Sequence, residues 1–298
     1  MSLKEFLSRE VDFKHPVKYK NVDFTGRQDD LEDLVVKKVY EGAETTGVFY
    51  GTKDQADLVY QHMINGSFQG AYFRHAEIKV QPPVYLENGK YQLEIKFGYR
   101  EELDYIRQGE KKVTEFYEKY KDIAKTDLER EKLIHDWLLL NASARNVAPT
   151  EEHYPWVYNT NKHVRIHSPA SIFIDGEGVC LTYTTAFARM AERFGIDVRV
   201  VHGYSAMTSS AKATSIDLAK QKFKNIDTST YSEANLNHAW NLVKIEDKWY
   251  HVNTYHTDNM LKNWQQENPY MYFLKSDSVF EENKIALKPN RNYYILKA

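Results

Sequence analysis

The chain has 298 residues, of which 42% are hydrophobic and 28% are charged. This composition provides ample apolar material for a buried core and excludes a disordered or collagen-like chain. The 40 basic and 42 acidic residues give a formal net charge of −2, which argues against a protein that grips nucleic-acid phosphates through a basic face.

The sequence contains no run of about 18 apolar residues, so we expect no membrane span. Its first residues also lack the apolar core of a secretory leader. Cys180 is the only cysteine, which excludes an internal disulfide framework and a cysteine-rich metal site. We expect no cofactor. The composition suits an exported or cell-surface protein and a cytoplasmic protein equally well, so the location stays open.

Residues 1–108 predict a small α+β domain of unknown role. The spacing of apolar residues predicts a strand, a helix and two half-buried strands in this part, at 46–51, 54–64, 76–80 and 91–97. A charged helix at 101–125 is expected to link this part to a second domain, which we place at 109–298.

A further helix is predicted at 127–141, where Thr126 and Glu129 have the spacing of a capping box. Its predicted buried stripe consists of Leu128, Leu133, Ile134, Trp137, Leu138 and Asn141. Residues 145–170 are rich in Asn, His and Pro and predict a loop.

The lone cysteine has the sequence context of a nucleophile. A glycine-containing loop at 175–179 precedes it, and apolar residues then recur at helical spacing until Gly195. Cys180 is therefore predicted in the first turn of a buried helix, where unpaired backbone N–H groups and the helix dipole favour a thiolate. A buried structural cysteine is the alternative.

A hairpin that ends at Asn253 carries the candidate base. Two strand-like runs surround a short polar turn, which we place at Ile245–Glu246. That turn puts His238 opposite Asn253, or diagonal to it if the register slips, and on the same face in both cases. The side-chain oxygen of Asn253 is then expected to accept a hydrogen bond from one ring nitrogen, leaving the other for a thiol. An ordinary hairpin with a partly exposed histidine is the alternative.

The order of these segments resembles the transglutaminase-like superfamily of cysteine enzymes. The resemblance spans about residues 128–285 and rests on several spaced motifs. The matching segments are Glu131–Trp137, Gly178–Cys180 with Tyr183, Phe194–Gly203, His238–Asn241, Trp249–Asn253 and Tyr272–Asp277.

The resemblance implies an α+β fold with a papain-like core, in which a nucleophile helix packs on an antiparallel sheet. It implies a catalytic triad of Cys180, His238 and Asn253 that acts on amide bonds through a thioester, with the backbone N–H of Cys180 as an oxyanion donor. Trp240 and Tyr183 are candidate substrate contacts, with a core or cleft-wall position as the alternative. The implied substrate is a protein or peptide, cell-wall peptides included. Hydrolysis is the expected reaction, and glutamine–lysine crosslinking or a binding module without activity are the alternatives.

Two features depart from the family pattern. Asn253 stands where the family usually has Asp, and papain-like enzymes use Asn there to orient the ring without adding a negative charge. Asp258 is therefore a second candidate for the third partner. The segment 205–236 is longer than in bacterial relatives, and we expect either a lid or specificity loop or a tolerated surface elaboration.

Several other histidines are candidates for chemistry. His163 with His167 and His251 with His256 have spacings that metal ligands can have. Neither pair has an evident third ligand, so we expect no metal site. His135 lies on a helix among apolar neighbours and is predicted to be a packed or surface histidine.

Overall fold

The structure is a computed structural model of the chain. It describes residues 11, 38, 41, 43–45, 47–53, 76–80, 84–99, 103–145, 166, 168–203, 238–263, 267–282 and 294–296. Among these residues, no helix is both long and apolar enough to cross a bilayer.

The helices and strands are numbered here in chain order. The helices are α1 (Leu103–Tyr120), α2 (Asp127–Asn141), α3 (Pro169–Ile174), α4 (Cys180–Arg193), α5 (Thr254–Asn263) and α6 (Asp277–Glu282). The strands are β1 (Phe49–Gly51), β2 (Ala76–Val80), β3 (Val84–Tyr85), β4 (Tyr91–Leu93), β5 (Ile95–Tyr99), β6 (Ser143–Ala144), β7 (Glu177–Gly178), β8 (Val198–Gly203), β9 (His238–Ile245), β10 (Lys248–Val252) and β11 (Tyr294–Leu296).

The N-terminal strands form two small antiparallel groups, β1-β4-β3 and β2-β5. The predicted strand at 76–80 is confirmed as β2. The strand predicted at 91–97 is divided at Glu94 into β4 and β5, which pair in different groups. The helix predicted at 54–64 lies outside the described residues, apart from the position that precedes it.

Helix α2 has the predicted bounds and the predicted cap. The Thr126 hydroxyl accepts from the Glu129 backbone N–H at 3.2 Å, and the Glu129 carboxylate accepts from the Thr126 backbone N–H at 2.9 Å. The predicted stripe is only partly right. Leu133, Ile134 and Leu138 are fully buried, whereas Asn141 is exposed. The residues from 131 to 136 are buried on every side, because this helix is packed inside the molecule instead of lying on its surface.

The second half of the fold is a four-stranded antiparallel sheet, ordered β10-β9-β8-β11, with helices packed against it. Helix α4 lies on β9, while α1, α2 and α3 pack around α4. The chain therefore has an α+β fold with a buried helix on an antiparallel sheet. The boundary we placed after residue 108 falls inside α1, which runs continuously across it.

Close contacts fix α1 against its neighbours. A Cβ atom on Gly109 would lie 2.5 Å from the Cβ atom of Ala170, so only glycine allows α1 and α3 to approach this closely. The nearly buried Arg189 of α4 forms an ion pair with Glu110 of α1, at 2.6 Å. These contacts hold the helix that begins at Cys180 in a fixed position.

Helix α3 was not predicted, because its first residues belong to the segment 145–170, whose composition predicts a loop. A signal was present in the sequence. Ser168 caps the helix by accepting from the Ala170 N–H at 3.2 Å, and Pro169 occupies the first helical position. Serine followed by proline is a common start of a helix.

Helix α2 buries a carboxyl group that has no hydrogen-bond partner among the described residues. Both oxygens of Glu131 are enclosed, and burial raises the pKa of Glu131 well above its ordinary value of 4.5. The folded protein therefore holds the proton of Glu131 more tightly than the unfolded chain does, and stability falls as the pH rises above about 4.5.

We expect Glu131→Gln to remove this decline. The free energy of unfolding of the variant should exceed that of the wild type by at least about 1 kcal/mol at pH 8, since one pKa unit corresponds to about 1.4 kcal/mol, and the difference should shrink toward pH 4. Urea unfolding between pH 4 and pH 8 measures it. The matched control is Glu129→Gln on the same helix. Above pH 4.5 this variant should be less stable than the wild type, because backbone hydrogen bonds to the ionised carboxylate lower the pKa of Glu129. Equal pH dependence of the wild type and Glu131→Gln would contradict the assignment.

Candidate active site

Cys180 is the first residue of α4, as predicted. It is half-buried, and the helix geometry offers its N–H no acceptor within the helix. A Cβ atom on the preceding Gly178 would lie 2.6 Å from the Cβ and Cγ2 atoms of Thr182. Glycine is therefore required for the loop to enter the helix at this angle, with the thiol at its N-terminal end.

The hairpin that carries His238 is confirmed, with a different turn. Its loop is Glu246–Asp247, and both residues have positive φ angles, 48° and 61°, as a two-residue type I′ loop requires. The strand register pairs Val252 with Asn241, so Asn253 is diagonal to His238 and not directly opposite it. The side chains still share one face, because the shift of two residues preserves the alternation of the strand.

The carboxamide of Asn253 contacts two histidine rings. Its Nδ2 atom lies 3.0 Å from Nε2 of His238 and 2.9 Å from Nδ1 of His256. Its Oδ1 atom accepts from the backbone N–H of His256 at 3.2 Å. All three side chains are buried, with exposed fractions of 1–3%. Our expectation that the amide oxygen would face His238 is wrong.

The reason for this orientation is that Asn253 is also the N-cap of α5. Its backbone carbonyl accepts from the N–H of Thr257 at 3.1 Å, and its side-chain oxygen accepts from the third residue of the helix, as N-cap residues do. Because asparagine has one side-chain oxygen, the cap uses it, and the NH2 group is the part of the carboxamide that faces His238.

A hydrogen bond from Asn241 joins the sheet of His238 to the helix of Cys180, and a second one inside that helix continues it to Cys180. Asn241 of β9 donates from Nδ2 to the backbone carbonyl of Thr184 at 3.1 Å, and the Thr184 hydroxyl donates to the carbonyl of Cys180 at 2.8 Å.

The ring of Tyr255 lies 5.9 Å from that of His238. Burial and then the charge of a Cys180 thiolate raise the pKa of Tyr255, so Tyr255 neighbours both candidate groups and stays protonated.

Asp258 holds the scaffold together. Its Oδ2 atom accepts from the Tyr183 hydroxyl at 2.9 Å and from the Ala144 N–H at 2.7 Å, and its Oδ1 atom pairs with Lys262 at 2.6 Å. Burial raises the pKa of Asp258 despite the nearby ammonium group of Lys262. These partners come from α4, β6 and α5, so Asp258 connects the nucleophile helix to the segments beside it.

Trp240 and Tyr183, the candidate substrate contacts, are each only 1% exposed. Trp240 donates from Nε1 to Nδ1 of His251 at 2.9 Å, and the Tyr183 hydroxyl donates to Asp258. This burial fits the core position that we gave as the alternative. Both residues pack the interior beside the site.

His135 and His251 have structural partners. Burial lowers the pKa of His135 to about 3, and its ring bonds to the Thr254 hydroxyl at 2.9 Å and to the Pro269 carbonyl at 2.8 Å. His251 stacks on Phe280 with the ring centres 4.5 Å apart. His163, His167 and the segment 205–236 lie outside the described residues, and within the described ones no three metal-ligating side chains lie together.

Sequence reasoning missed two residues of this site. Asn241 lay inside a motif that we quoted, yet no role was assigned to it. His256 was considered only as a metal ligand. A signal for His256 was available, because Asn253 followed by a helix-forming run is the pattern of an N-cap, which places the residue three positions later beside the capping side chain.

The family model of the Transglutaminase-like superfamily matches residues 114–254. This range includes Cys180, His238 and Asn253, while His256 and Asp258 lie just beyond it. No curated protein is similar enough in sequence to count as a match.

Three solved structures match the chain. A candidate protease from Parabacteroides distasonis ATCC 8503 is 12% identical with a TM-score of 0.30, and the match covers 56% of this chain and 28% of that one. A TGase is 10% identical with a TM-score of 0.32, covering 74% and 52%. A candidate cysteine protease from Cytophaga hutchinsonii is 12% identical with a TM-score of 0.33, covering 75% and 71%. The chain spans less than two thirds of the length of the first two structures.

A scaffold role for Asp258 predicts that Asp258→Asn lowers the free energy of unfolding by about 1–3 kcal/mol, because one oxygen and the charge are lost from a buried cluster. The iodoacetamide labelling rate of Cys180 in the folded variant should stay within about twofold of the wild type. Tyr183→Phe is the matched control and should cost about 1 kcal/mol, since it removes one donor and no charge. Abolished labelling in folded Asp258→Asn would instead make Asp258 a partner of His238.

Proposed function

We propose that the protein is a thiol-dependent hydrolase of amide bonds in peptides or proteins, because residues 114–254 match the family model of the Transglutaminase-like superfamily. Cys180 is the proposed nucleophile, His238 the base and Asn253 the third member of the triad. The observation that carries the proposal is the 3.0 Å contact between the Asn253 carboxamide and Nε2 of His238, on the strand that packs against the helix of Cys180.

In the proposed reaction, the Cys180 sulfur attacks the amide carbonyl while its proton passes to His238. Since Nε2 of His238 faces Asn253, Nδ1 is the nitrogen that exchanges the proton with the thiol. His238 then gives this proton to the leaving amine, the C–N bond breaks, and a thioester remains on Cys180. Water adds to the thioester and releases the acid and the thiol.

The position of Cys180 supports its proposed role. A thiolate at the start of a helix is stabilised by the positive end of the helix dipole. The Cys180 N–H at this terminus is the proposed oxyanion donor. Asn253 adds no negative charge near His238, so it stabilises the protonated ring of His238 less than an aspartate at this position would.

A single-adduct experiment tests the nucleophile. Iodoacetamide at pH 7 should add one group, at Cys180, on the order of ten times faster than it labels a free thiol, because the thiolate fraction is raised. His238→Gln should slow the reaction to the rate of a free thiol. His251→Asn is the control, since it changes another buried histidine of the same sheet and keeps an acceptor for Trp240. Labelling as slow as that of an unactivated thiol, and unaffected by His238→Gln, would favour a binding module.

A second experiment separates hydrolysis from transfer. We expect the protein to cut casein into fragments, and Cys180→Ser to leave it intact. The same incubation with a fluorescent primary amine should yield little dye on casein, since water is the proposed acceptor. Dye incorporation without fragments would replace hydrolysis by crosslinking.

A further inference from the structure

The carboxamide of Asn253 can adopt two orientations, which differ in what they offer His238. In the observed orientation its NH2 group faces both rings. An amide NH2 can only donate hydrogen bonds, so Nε2 of His238 and Nδ1 of His256 must both be unprotonated acceptors. A neutral imidazole carries one proton. His238 therefore holds its proton on Nδ1, and His256 holds its proton on Nε2.

His256 contributes two of the contacts that fix this orientation. Its backbone N–H holds the amide oxygen at 3.2 Å, and its Nδ1 accepts from the amide nitrogen at 2.9 Å. If the carboxamide turned over, its NH2 group would meet the donating N–H of His256. The oxygen would then face Nδ1, which has no proton to donate in the observed state.

His256 stays neutral in its surroundings. Burial, and then the charge that His238 would carry, lower the pKa of His256 well below its ordinary value. The two rings stack with their centres 4.1 Å apart. The other titratable rings nearby are Tyr255, 5.8 Å from His256, and Tyr272, 6.1 Å away. Burial raises the pKa of both tyrosines, so they remain protonated and uncharged.

We propose that His256 is a positioning residue that holds the Asn253 carboxamide with its NH2 group toward His238, so that the resting base carries its proton on Nδ1. The proton positions follow from the hydrogen bonds alone, and only their role in catalysis rests on the proposed function. Proton transfer from the thiol to Nδ1 requires that nitrogen to be unprotonated. The competent base is therefore the other neutral tautomer of His238, which carries the same single proton on Nε2, and the carboxamide must turn over before the attack so that its oxygen accepts that Nε2–H.

Replacing Asn253 by Asp, which has two side-chain oxygens, provides a second test of the proposal. Aspartate at position 253 would cap α5 with one oxygen and present the other to His238 and His256. Both rings would then have to donate. The protons of His238 and His256 are expected to move to Nε2 and Nδ1, respectively, in Asn253→Asp.

Imidazole nitrogen NMR of the full chain labelled with 15N-histidine tests the proposal, because it reports which ring nitrogen carries the proton. Spectra of His238→Gln and His256→Asn identify the two signals. In the wild type we expect His238 protonated on Nδ1 and His256 protonated on Nε2. His256→Leu removes the side-chain acceptor and should raise the ratio of Nε2–H to Nδ1–H forms of His238 about fivefold, the equivalent of one neutral hydrogen bond.

The matched control is His256→Asn, whose side-chain oxygen takes the place of Nδ1 and should keep His238 in the wild-type form. A wild-type His238 with its proton on Nε2 would overturn the proposal, as would an unchanged His238 in His256→Leu. If either variant does not fold, the wild type and Asn253→Asp decide the outcome. Slow labelling of Cys180 alongside the expected protonation pattern would remove the proposed enzyme function and leave the positioning role of His256 in place.

Discussion

The candidate site depends on one side chain that serves two structures at once. Asn253 ends the hairpin that carries His238 and begins α5 as its N-cap. Its single oxygen satisfies the start of the helix, and its NH2 group is left for the histidine rings. Helix capping and the protonation state of His238 are therefore set by the same atoms. A change that affects one must affect the other, because an amide cannot present its oxygen in two directions.

The surrounding contacts keep the two halves of the site together. Asn241 links the strand of His238 to the helix of Cys180 through Thr184. Asp258 links that helix, through Tyr183, to β6 and α5. These polar groups lie in an interior where an unpaired donor or acceptor is costly, so their hydrogen bonds favour one arrangement of the segments over others. The site is built on packed helices and strands and not on the described loops.

The electrostatic character of the site follows from burial. Four histidines of this region are buried, and burial lowers the pKa of His135 and His256, which disfavours their charged forms. The tyrosines beside them keep their protons for the same reason. The carboxylate of Asp258 is engaged by donors on other segments. Proton exchange in the proposed reaction is thus assigned to Cys180 and His238.

Local signals in the sequence determined much of the fold. The capping box at Thr126 fixed the start of α2, the apolar spacing before Gly195 fixed α4, and the alternating strands around residues 246 and 247 fixed the hairpin. These features depend on neighbours along the chain, which a sequence displays directly. The sequence also identified Cys180, His238 and Asn253 as candidates through their order and spacing.

Only the tertiary structure decided the rest. The turn is centred one residue later than expected, so Asn253 is diagonal to His238. The single oxygen of Asn253 caps α5, so the orientation of its carboxamide toward His238 is the reverse of the one expected. The exposure of Asn141 and the burial of Trp240 and Glu131 depend on which segments pack around α2 and β9, and these segments are distant in sequence. Spacing along the chain describes only one element at a time, whereas hydrogen-bond direction and burial are set by all the elements that meet at a point.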